Sequence, residues 1–156
     1  MLSYTVISHK HLEFVVMNYP ADSNATTFAN LLSTLRVTHV VRTCENLYDT
    51  SCFEGIEFID LFFSDGSSPP SRIIRKWLAF LCSFSTDSKH TIAVQCLAGL
   101  GRAPLLVAIF LVESGVKYNK AISMIRKKRR NALNYPQIEF LRKYKKRGTN
   151  CKCSLL

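Results

Sequence analysis

The stretch Gln95-Cys-Leu-Ala-Gly-Leu-Gly-Arg-Ala-Pro104 joins two apolar segments of different kinds. Residues 91–94 before it form a short run rich in β-branched side chains, which is typical of a buried strand. Residues 103–113 after it are apolar, with Pro104 in the first turn and Gly115 just past the end, which predicts a helix. The quoted stretch therefore predicts a strand, a glycine-bearing loop and the first turn of a helix.

Such a loop is suited to bind an anion. At a helix N-terminus the first backbone N–H groups lack partners within the helix, and the helix dipole is positive there. The same field favours the ionised sulfur of Cys96, which is the nucleophilic form of a thiol. The planar guanidinium of Arg102 can hold two phosphate oxygens at once. The predicted phosphate-binding residues are Leu97, Ala98, Gly99, Leu100, Gly101 and Arg102. The alternative is that Cys96 is a small buried apolar residue and Arg102 a solvated one.

A proton donor is expected on a second loop. Asp65 precedes Gly66 in a segment rich in Ser, Gly and Pro, so a mobile loop would carry its carboxyl group. Asp60 is the second candidate, but it lies within a predicted strand, which favours a structural role. The alternative for Asp65 is that it only forms the turn with Gly66.

The loop and several other segments resemble one family. Residues 96–108 resemble the Cys-X5-Arg signature of the dual-specificity-like cysteine phosphatases, and in particular the phosphatases of regenerating liver, which are small prenylated tyrosine phosphatases. Further ordered matches lie at residues 41–50, 54–56, 64–70, 113–118 and 125–130. The resemblance implies dephosphorylation of phosphotyrosine proteins through a phosphocysteine on Cys96, with Asp65 as general acid and without a metal or other cofactor.

Three features depart from the pattern of most cysteine phosphatases. Gln95 stands where a histidine usually precedes the nucleophile, and an amide carries no charge. Leu61 and Phe62 replace a Trp-Pro pair, which bears on closure of the Asp65 loop. Ala103 replaces a serine or threonine whose hydroxyl stabilises the departing sulfur, so we expect slow hydrolysis of the phosphocysteine, as the regenerating-liver group also implies.

Cys44 resembles the family's second cysteine, which forms a reversible disulfide with the nucleophile. Both Cys44 and Cys96 follow predicted strands, and the carboxyl ends of parallel strands meet at one edge of a sheet. A bond between them in a reducing compartment would be regulatory. The alternative is that Cys44 is simply packed in the core.

The order of predicted elements gives the fold class. The pattern predicts an α/β protein with a mostly parallel central sheet of four to five strands flanked by helices, the fold of the cysteine phosphatases. Predicted strands cover residues 14–17, 38–44, 55–61 and 91–94. Predicted helices follow Asn24 and Pro70, cover residues 103–113, and begin near Asn119 and at Pro136.

Length and composition favour one domain with a tail. The chain has 156 residues, of which 47% are hydrophobic, enough for a core without disulfides or metals. Residues 1–147 are predicted to form a single phosphatase domain and residues 148–156 a flexible tail. Six irregularly spaced cysteines fit reduced thiols better than a disulfide framework or a zinc site. No apolar run is long enough to span a bilayer, and the N-terminus does not resemble a signal peptide.

The tail ends in a lipidation motif. Cys153-Ser-Leu-Leu156 is a C-a-a-X box that predicts prenylation of Cys153, with the terminal leucine favouring geranylgeranyl. Residues 1–115 hold 8 Lys or Arg and 10 Asp or Glu, whereas residues 116–156 hold 13 and 1. A prenyl group and basic residues together predict attachment to the anionic cytoplasmic face of the plasma membrane or endomembranes. The basic residues 126–130 also fit a nuclear localisation signal, but nothing beside them indicates nucleic-acid binding.

Two rival functions share the same loop. An anion pocket serves a carboxylate as well as a phosphate, so the chain could be a binding module for an acidic side chain of a cyclin-M-type magnesium transporter, a partner that the resemblance implies. Phosphoinositide dephosphorylation ranks third, because the loop between Cys96 and Arg102 has no lysine for additional phosphates. The resemblance also implies trimers on membranes.

Overall fold

A central sheet organises the molecule. The computed structural model describes residues 1–45 and 48–148. Within them a five-stranded sheet has the order β1-β2-β5-β3-β4, in which β1 runs antiparallel to β2 and every other pairing is parallel. The strands are β1 (Tyr4–His9), β2 (Leu12–Asn18), β3 (Val37–Arg42), β4 (Glu57–Asp60) and β5 (His90–Cys96). The predicted α/β class with a mostly parallel sheet flanked by helices is confirmed.

Helices cover both faces of this sheet. One hydrophobic cluster joins α1 to one face through Val15, Phe28, Leu32, Val40 and Ala93. The other face packs against the remaining helices and contains Phe14, Trp77 and Phe110. The helices are α1 (Ala25–Thr34), α2 (Ser71–Cys82), α3 (Arg102–Glu113), α4 (Tyr118–Lys128) and α5 (Tyr135–Lys143). None of the helices in this described part of the chain is long and apolar enough to cross a membrane.

The helix α3 is the centre of the larger cluster. All of its residues are buried, including Arg102 and Glu113 at its two ends. The apolar face predicted for the helix after Pro70 is confirmed, since Ile73, Ile74, Trp77, Leu78 and Leu81 are all buried in α2. The indole N–H of Trp77 donates to the carbonyl of Leu106 at 2.8 Å and joins α2 to α3.

Three details differ from the sequence-based expectations. Strand β1 is not among the predicted strands; it forms a hairpin with β2 through Lys10, whose φ is 54°. The strands before and after α1, β2 and β3, run parallel but are not neighbours, because β5 lies between them. Helix α4 begins at Tyr118 with Lys117 as N-cap, so the expected start near Asn119 is one residue late, and the side-chain oxygen of Asn119 accepts a bond from the amide of Lys120.

Candidate active site

Cys96 lies at the end of the central strand β5 and is 3% exposed. Neighbouring chain segments hold this strand end from both sides. The amide of Tyr19 donates to the carbonyl of Cys96 at 3.1 Å, and the amide of Thr43 donates to the carbonyl of Gln95 at 2.9 Å. The sulfur of Cys96 therefore lies at the end of β5, a strand that is paired with β2 on one side and with β3 on the other.

Three carbonyls of the loop after Cys96 accept hydrogen bonds from residues outside the loop. Arg129 donates to the carbonyls of Ala98, at 3.0 Å, and Gly99, and the amide of Leu133 donates to the carbonyl of Leu100 at 2.7 Å. In a planar trans peptide the N–H points opposite to the C=O. These three bonds therefore turn the N–H groups of residues 99–101 the other way, as an anion-binding loop requires.

Gly99 is required by both backbone conformation and space. Its φ is +68°, a region that residues with a side chain rarely adopt. A Cβ atom there would lie 2.5 Å from Nη2 of Arg129 and 2.7 Å from the main-chain carbon of Met17. The loop can approach β2 and Arg129 this closely only because residue 99 has no side chain.

Arg102, the first residue of α3, is buried rather than solvated, at 8% exposure. Its Nη1 donates to the carbonyl of Phe63 at 3.2 Å and that of Thr43 at 3.5 Å. Its Nε lies 3.3 Å from Oδ1 of Asp65, close enough for an ion pair but without hydrogen-bond geometry. The guanidinium is thus fixed on one side and faces a carboxylate on the other.

Asp65 lies at the mouth of the same site. Its side chain is 72% exposed, and Gly66 after it has φ +70°. The N-terminus of α5 holds this loop: the side-chain amide of Asn134 donates to the carbonyl of Gly66 at 3.1 Å, and that of Gln137 to the carbonyl of Ser67 at 3.4 Å. The contacts fix the turn and leave the carboxyl group of Asp65 in solvent.

Asp60 has a different environment from Asp65. It is the last residue of β4, and its carboxylate accepts two bonds from Arg42, at 2.6 and 2.9 Å. This bidentate pair between neighbouring strands fits a structural role for Asp60, in preference to proton donation.

One cavity of about 280 Å³ is lined by both Cys96, the predicted nucleophile, and Asp65, the predicted acid. Leu97 and Leu100 are the exposed apolar residues of its rim. Sequence reasoning did not identify Gln137, whose buried amide also lies near Gly101. The cavity is lined by Asp65, Gly66, Cys96, Leu97, Ala98, Leu100, Gly101, Asn131, Asn134 and Gln137.

Gln95 is fully buried, and its side chain hydrogen-bonds to Tyr48 and not to the loop after Cys96. Its Oε1 accepts a hydrogen bond from the hydroxyl of Tyr48 at 2.6 Å, and its Nε2 finds no acceptor among the described residues. Burial raises the pKa of Tyr48, against the opposing effects of the Arg42 charge and the bond to Gln95. Residue 95 therefore anchors the segment around Tyr48.

The remaining predicted residues lie around this centre. Ala103 is fully buried behind Arg102. Cys44 follows β3 and, like Cys96, is 3% exposed. Leu61 is buried, and Phe62 lines a second cavity, which Arg102 also lines. Cys153 and its C-a-a-X box lie outside the described residues.

Comparisons with known proteins match nearly the whole chain. The model of the dual specificity phosphatase catalytic domain matches residues 19–147. The chain is 43% identical over 142 residues to mouse protein tyrosine phosphatase type IVA 3, covering 89% of this chain and 82% of the relative. It is 40% identical over 152 residues to probable protein tyrosine phosphatase type IVA B of Dictyostelium discoideum, covering 95% and 93%.

Solved structures give the same result. A putative protein tyrosine phosphatase from Leishmania major has a TM-score of 0.83 at 34% identity, over 92% of this chain and 99% of that one. PTPMT1 has a TM-score of 0.71 at 23% identity, over 90% and 92%, and supports the fold alone. The chain therefore belongs to the dual specificity phosphatase family, and within it to the protein tyrosine phosphatases of type IVA, the phosphatases of regenerating liver.

Proposed function

We propose that this enzyme dephosphorylates phosphotyrosine side chains of proteins through a phosphocysteine. The Cys96 thiolate attacks phosphorus, the bond to the tyrosine oxygen breaks, and Asp65 gives that oxygen its proton. Arg102 and the loop amides bind the phosphate oxygens, over which the charge is spread in the transition state. The observation that supports this most is that Cys96 and Asp65 line one cavity, with Arg102 ion-paired to Asp65.

The ion pair between Asp65 and Arg102 would be exchanged when substrate binds. A phosphate dianion competes for the same guanidinium, so it displaces the carboxylate. This displacement frees the carboxyl group of Asp65 from the guanidinium and leaves it beside the bound phosphate. Asp65 would thus become a proton donor only in the substrate complex.

The second step is proposed to be slow. Water attacks phosphorus, Asp65 takes its proton, and the bond between phosphorus and sulfur breaks to release the Cys96 thiolate. Ala103 offers that thiolate no hydroxyl donor. We expect wild type to show a burst of tyrosine release followed by slow turnover, and Ala103→Ser to raise the steady rate and reduce the burst. A trace without a burst in wild type would contradict slow hydrolysis.

Turnover of a phosphotyrosine peptide tests the function itself. We expect release of phosphate by wild type, none by Cys96→Ser, and a loss of about 10²–10⁴-fold for Asp65→Ala, the range of general acid catalysis. Asp60→Asn is the matched control, because the carboxylate of Asp60 is paired with Arg42. Equal losses for Asp65→Ala and Asp60→Asn would refute the assignment of Asp65.

One observation favours a second function, the capture of an acidic partner. In this structure Arg102 already faces a carboxylate, that of Asp65. An acidic side chain of a cyclin-M-type magnesium transporter could take its place. A stable one-to-one complex that inorganic phosphate displaces, in a wild type without turnover, would favour binding over catalysis.

Membrane attachment through the tail is a further part of the proposal. One prenyl group on Cys153 anchors only marginally, and nearby basic residues add about 1 kcal/mol each at an anionic leaflet. Lys145, Lys146 and Arg147 are exposed and stand before the tail. Attachment would put the enzyme on the cytoplasmic face of the plasma membrane or endomembranes, where trimers could form. Mass spectrometry of the native protein that finds the last three residues still present would refute prenylation.

We also propose that a disulfide between Cys44 and Cys96 protects the nucleophile. An oxidant such as peroxide converts the Cys96 thiolate to a sulfenic acid, and the Cys44 thiol displaces water to form the bond. Cys96 is the last residue of β5, and Cys44 lies two residues after the end of the neighbouring parallel strand β3. We expect Cys44→Ser to lose the recovery of activity by reductant after peroxide treatment; unchanged recovery would exclude this role.

A further inference from the structure

A concave site with three consecutive basic residues lies next to the active-site cavity. We call it the basic cavity; it has a volume of about 270 Å³, and Lys128, Arg129 and Arg130 are among the residues that line it. Ala98 and Leu100 line both this cavity and the cavity of the active site, so the two have a common wall. The proposed reaction assigns the basic cavity no role.

The positive charge around the basic cavity is uncompensated. None of its lining residues is acidic, and none of its three cations forms an ion pair with any residue that the structure describes. Arg130 is exposed and makes no hydrogen bond to those residues either. Three adjacent cations repel one another, and a negative group placed among them reduces that repulsion. The basic cavity is therefore electrostatically complementary to an anion.

Arg129 is the buried member of the three cations, at 6% exposure. Among the described residues it donates to neutral oxygens alone, namely the carbonyls of Gly99 and Ala98 and the hydroxyls of Thr5 and Ser3. These bonds use four of the five N–H groups of a guanidinium and leave one on Nη1. A buried cation with neutral partners is stabilised by an anion that reaches it.

The beginning of the chain completes the basic cavity. Ser3, Tyr4 and Thr5 line it. Lys128 donates to the carbonyl of Val6 at 2.9 Å, and the hydroxyl of Thr5 donates to the carbonyl of Lys128 at 3.5 Å, so β1 and the end of α4 hold each other. An ammonium group has three donors, and this bond uses one of them. Lys128 can therefore also donate to a ligand in the cavity.

Apolar side chains connect the two cavities. Besides Met1 and Tyr135, the exposed large apolar residues among those described are Tyr4, Leu97 and Leu100, and each of these three lines at least one of the two cavities. They can contact a peptide that passes from one cavity to the other. Because a peptide extends by at most about 3.3–3.6 Å per residue, a side chain a few residues from phosphotyrosine reaches the neighbouring cavity.

A membrane surface fits the basic cavity less well than a peptide does. The segment before the tail is held at the C-terminal end of α3, where the amide of Arg147 donates to the carboxylate of Glu113 at 2.9 Å. The basic cavity adjoins the loop before the other end of this 12-residue helix, which is about 18 Å long. A leaflet that holds the prenyl group would thus lie nearer to the opposite end of α3.

We infer that the basic cavity is a substrate subsite, which binds a negatively charged side chain, a carboxylate or a second phosphate, a few residues from the phosphotyrosine. Lys128, Arg129 and Arg130 supply the charge and the N–H donors, and Leu100 contacts the residues between. The inference rests on the proposed function, because it requires phosphotyrosine in the active-site cavity. It adds a preference for phosphotyrosine in acidic sequences.

Peptide binding tests the subsite without any turnover. The full-length chain with Cys96→Ser is titrated with phosphotyrosine peptides in which a single glutamate moves through the flanking positions, each compared with its glutamine counterpart. We expect glutamate to tighten binding by about three- to tenfold at neighbouring positions on one side of the phosphotyrosine. Phosphoserine at the same positions shows whether a phosphate or a carboxylate is preferred. We call the tightening by either residue the acidic gain.

Substitutions assign the acidic gain to the basic cavity. In the Cys96→Ser chain we expect Arg130→Gln to reduce the gain by at least about twofold, and Lys128→Gln together with Arg130→Gln to abolish it. Lys127→Gln is the matched control, because it removes the same charge from a nearby exposed residue that does not line the cavity. The gain should be unchanged in this control. If circular dichroism shows that the double variant does not fold, Arg130→Gln decides.

Three results would overturn the inference. They are the absence of an acidic gain at every position, a gain that Arg130→Gln leaves unchanged, and an equal reduction in Lys127→Gln. Absence of the gain in peptides that bind would refute the subsite alone, whereas failure of every phosphotyrosine peptide to bind would refute the proposed function as well.

Vesicles of phosphatidylcholine and phosphatidylserine test the lipid alternative. We expect Arg130→Gln and Lys127→Gln to bind them equally well, because neither charge is placed at a lipid site. Loss of vesicle binding in Arg130→Gln alone, with an unchanged acidic gain, would make the basic cavity a lipid site and would contradict the inference.

Discussion

Gly99 is the residue at which the nucleophile loop should tolerate least change. We expect Gly99→Ala to lower the free energy of unfolding by about 2–4 kcal/mol, since a positive φ and overpacking both oppose a methyl group. The three atoms nearest to that methyl group, from Arg129, Met17 and Asn18, would lie only 2.5–2.9 Å from it. Urea unfolding measures the stability, and protection of Cys96 from alkylation by bound phosphate measures the loop.

Gly55 provides a control for the backbone part of this effect. Its φ is +70°, close to that of Gly99, but no atom lies within 4 Å of a Cβ placed there. Gly55→Ala should therefore cost only about 1–2 kcal/mol. Equal losses for the two alanine variants would mean that close packing around Gly99 contributes nothing.

Among single residues, the sequence can predict those whose type and spacing from nearby residues already suit a particular chemistry. The Cys96 loop, Arg102 and Asp65 could be predicted because their types and spacing suit phosphate chemistry. In the structure Cys96 and Asp65 line one cavity, and Arg102 is ion-paired to Asp65. Arg129 and Gln137 could not be identified this way. Their roles depend on burial and on partners distant in the chain, and a basic run by itself predicts a solvated helix face.

The contact between α2 and α3 depends on one buried indole. Trp77 is fully buried and donates to the carbonyl of Leu106 at 2.8 Å. We expect Trp77→Phe to lower the free energy of unfolding by about 1–3 kcal/mol through the lost hydrogen bond and the space left by the smaller ring. The exposed Lys76 on the same helix is the control, and Lys76→Ala should change stability by less than about 0.5 kcal/mol in the same urea titration. If Trp77→Phe also changed the free energy of unfolding by less than about 0.5 kcal/mol, the result would contradict the role of the indole.

Elements with strong apolar periodicity could be predicted, and those determined by distant pairing could not. The prediction of the buried face of α2 is correct because its apolar residues recur at helical spacing. Strand β1 has a mostly half-exposed or exposed pattern, and it becomes a strand only through its hairpin with β2. The position of β5 between β2 and β3 depends on strands far apart in the chain, which local patterns do not reveal.

The folded molecule as a whole should be sensitive to alkaline pH. Burial raises the pKa of both Tyr48 and Tyr144, and a hydrogen bond to Glu113 raises that of Tyr144 further. Their neutral forms are favoured on folding, so this stability is complete below pH 10, the ordinary tyrosine value, and is lost as the pH rises above it. We expect the free energy of unfolding from urea titrations to begin to fall near pH 10 and to continue falling above it.

Phenylalanine variants separate this effect from general alkaline destabilisation. Tyr144→Phe removes the phenol that bonds to Glu113 at 2.7 Å, and Tyr48→Phe removes the one that bonds to Gln95 at 2.6 Å. Each should be less stable than wild type near neutral pH but show a shallower decline with rising pH. A decline as steep as that of wild type in both variants would mean that these phenols do not cause it.

The most direct measurement of the mechanism is the detection of phosphate on the nucleophile. Wild-type enzyme is mixed with a phosphotyrosine peptide, quenched in acid within the first turnover and analysed by peptide mass spectrometry. We expect one phosphoryl group on the peptide that contains Cys96, more of it in wild type than in Ala103→Ser, and none in Cys96→Ser. Release of phosphate without any phosphorylated Cys96 would contradict a phosphocysteine mechanism.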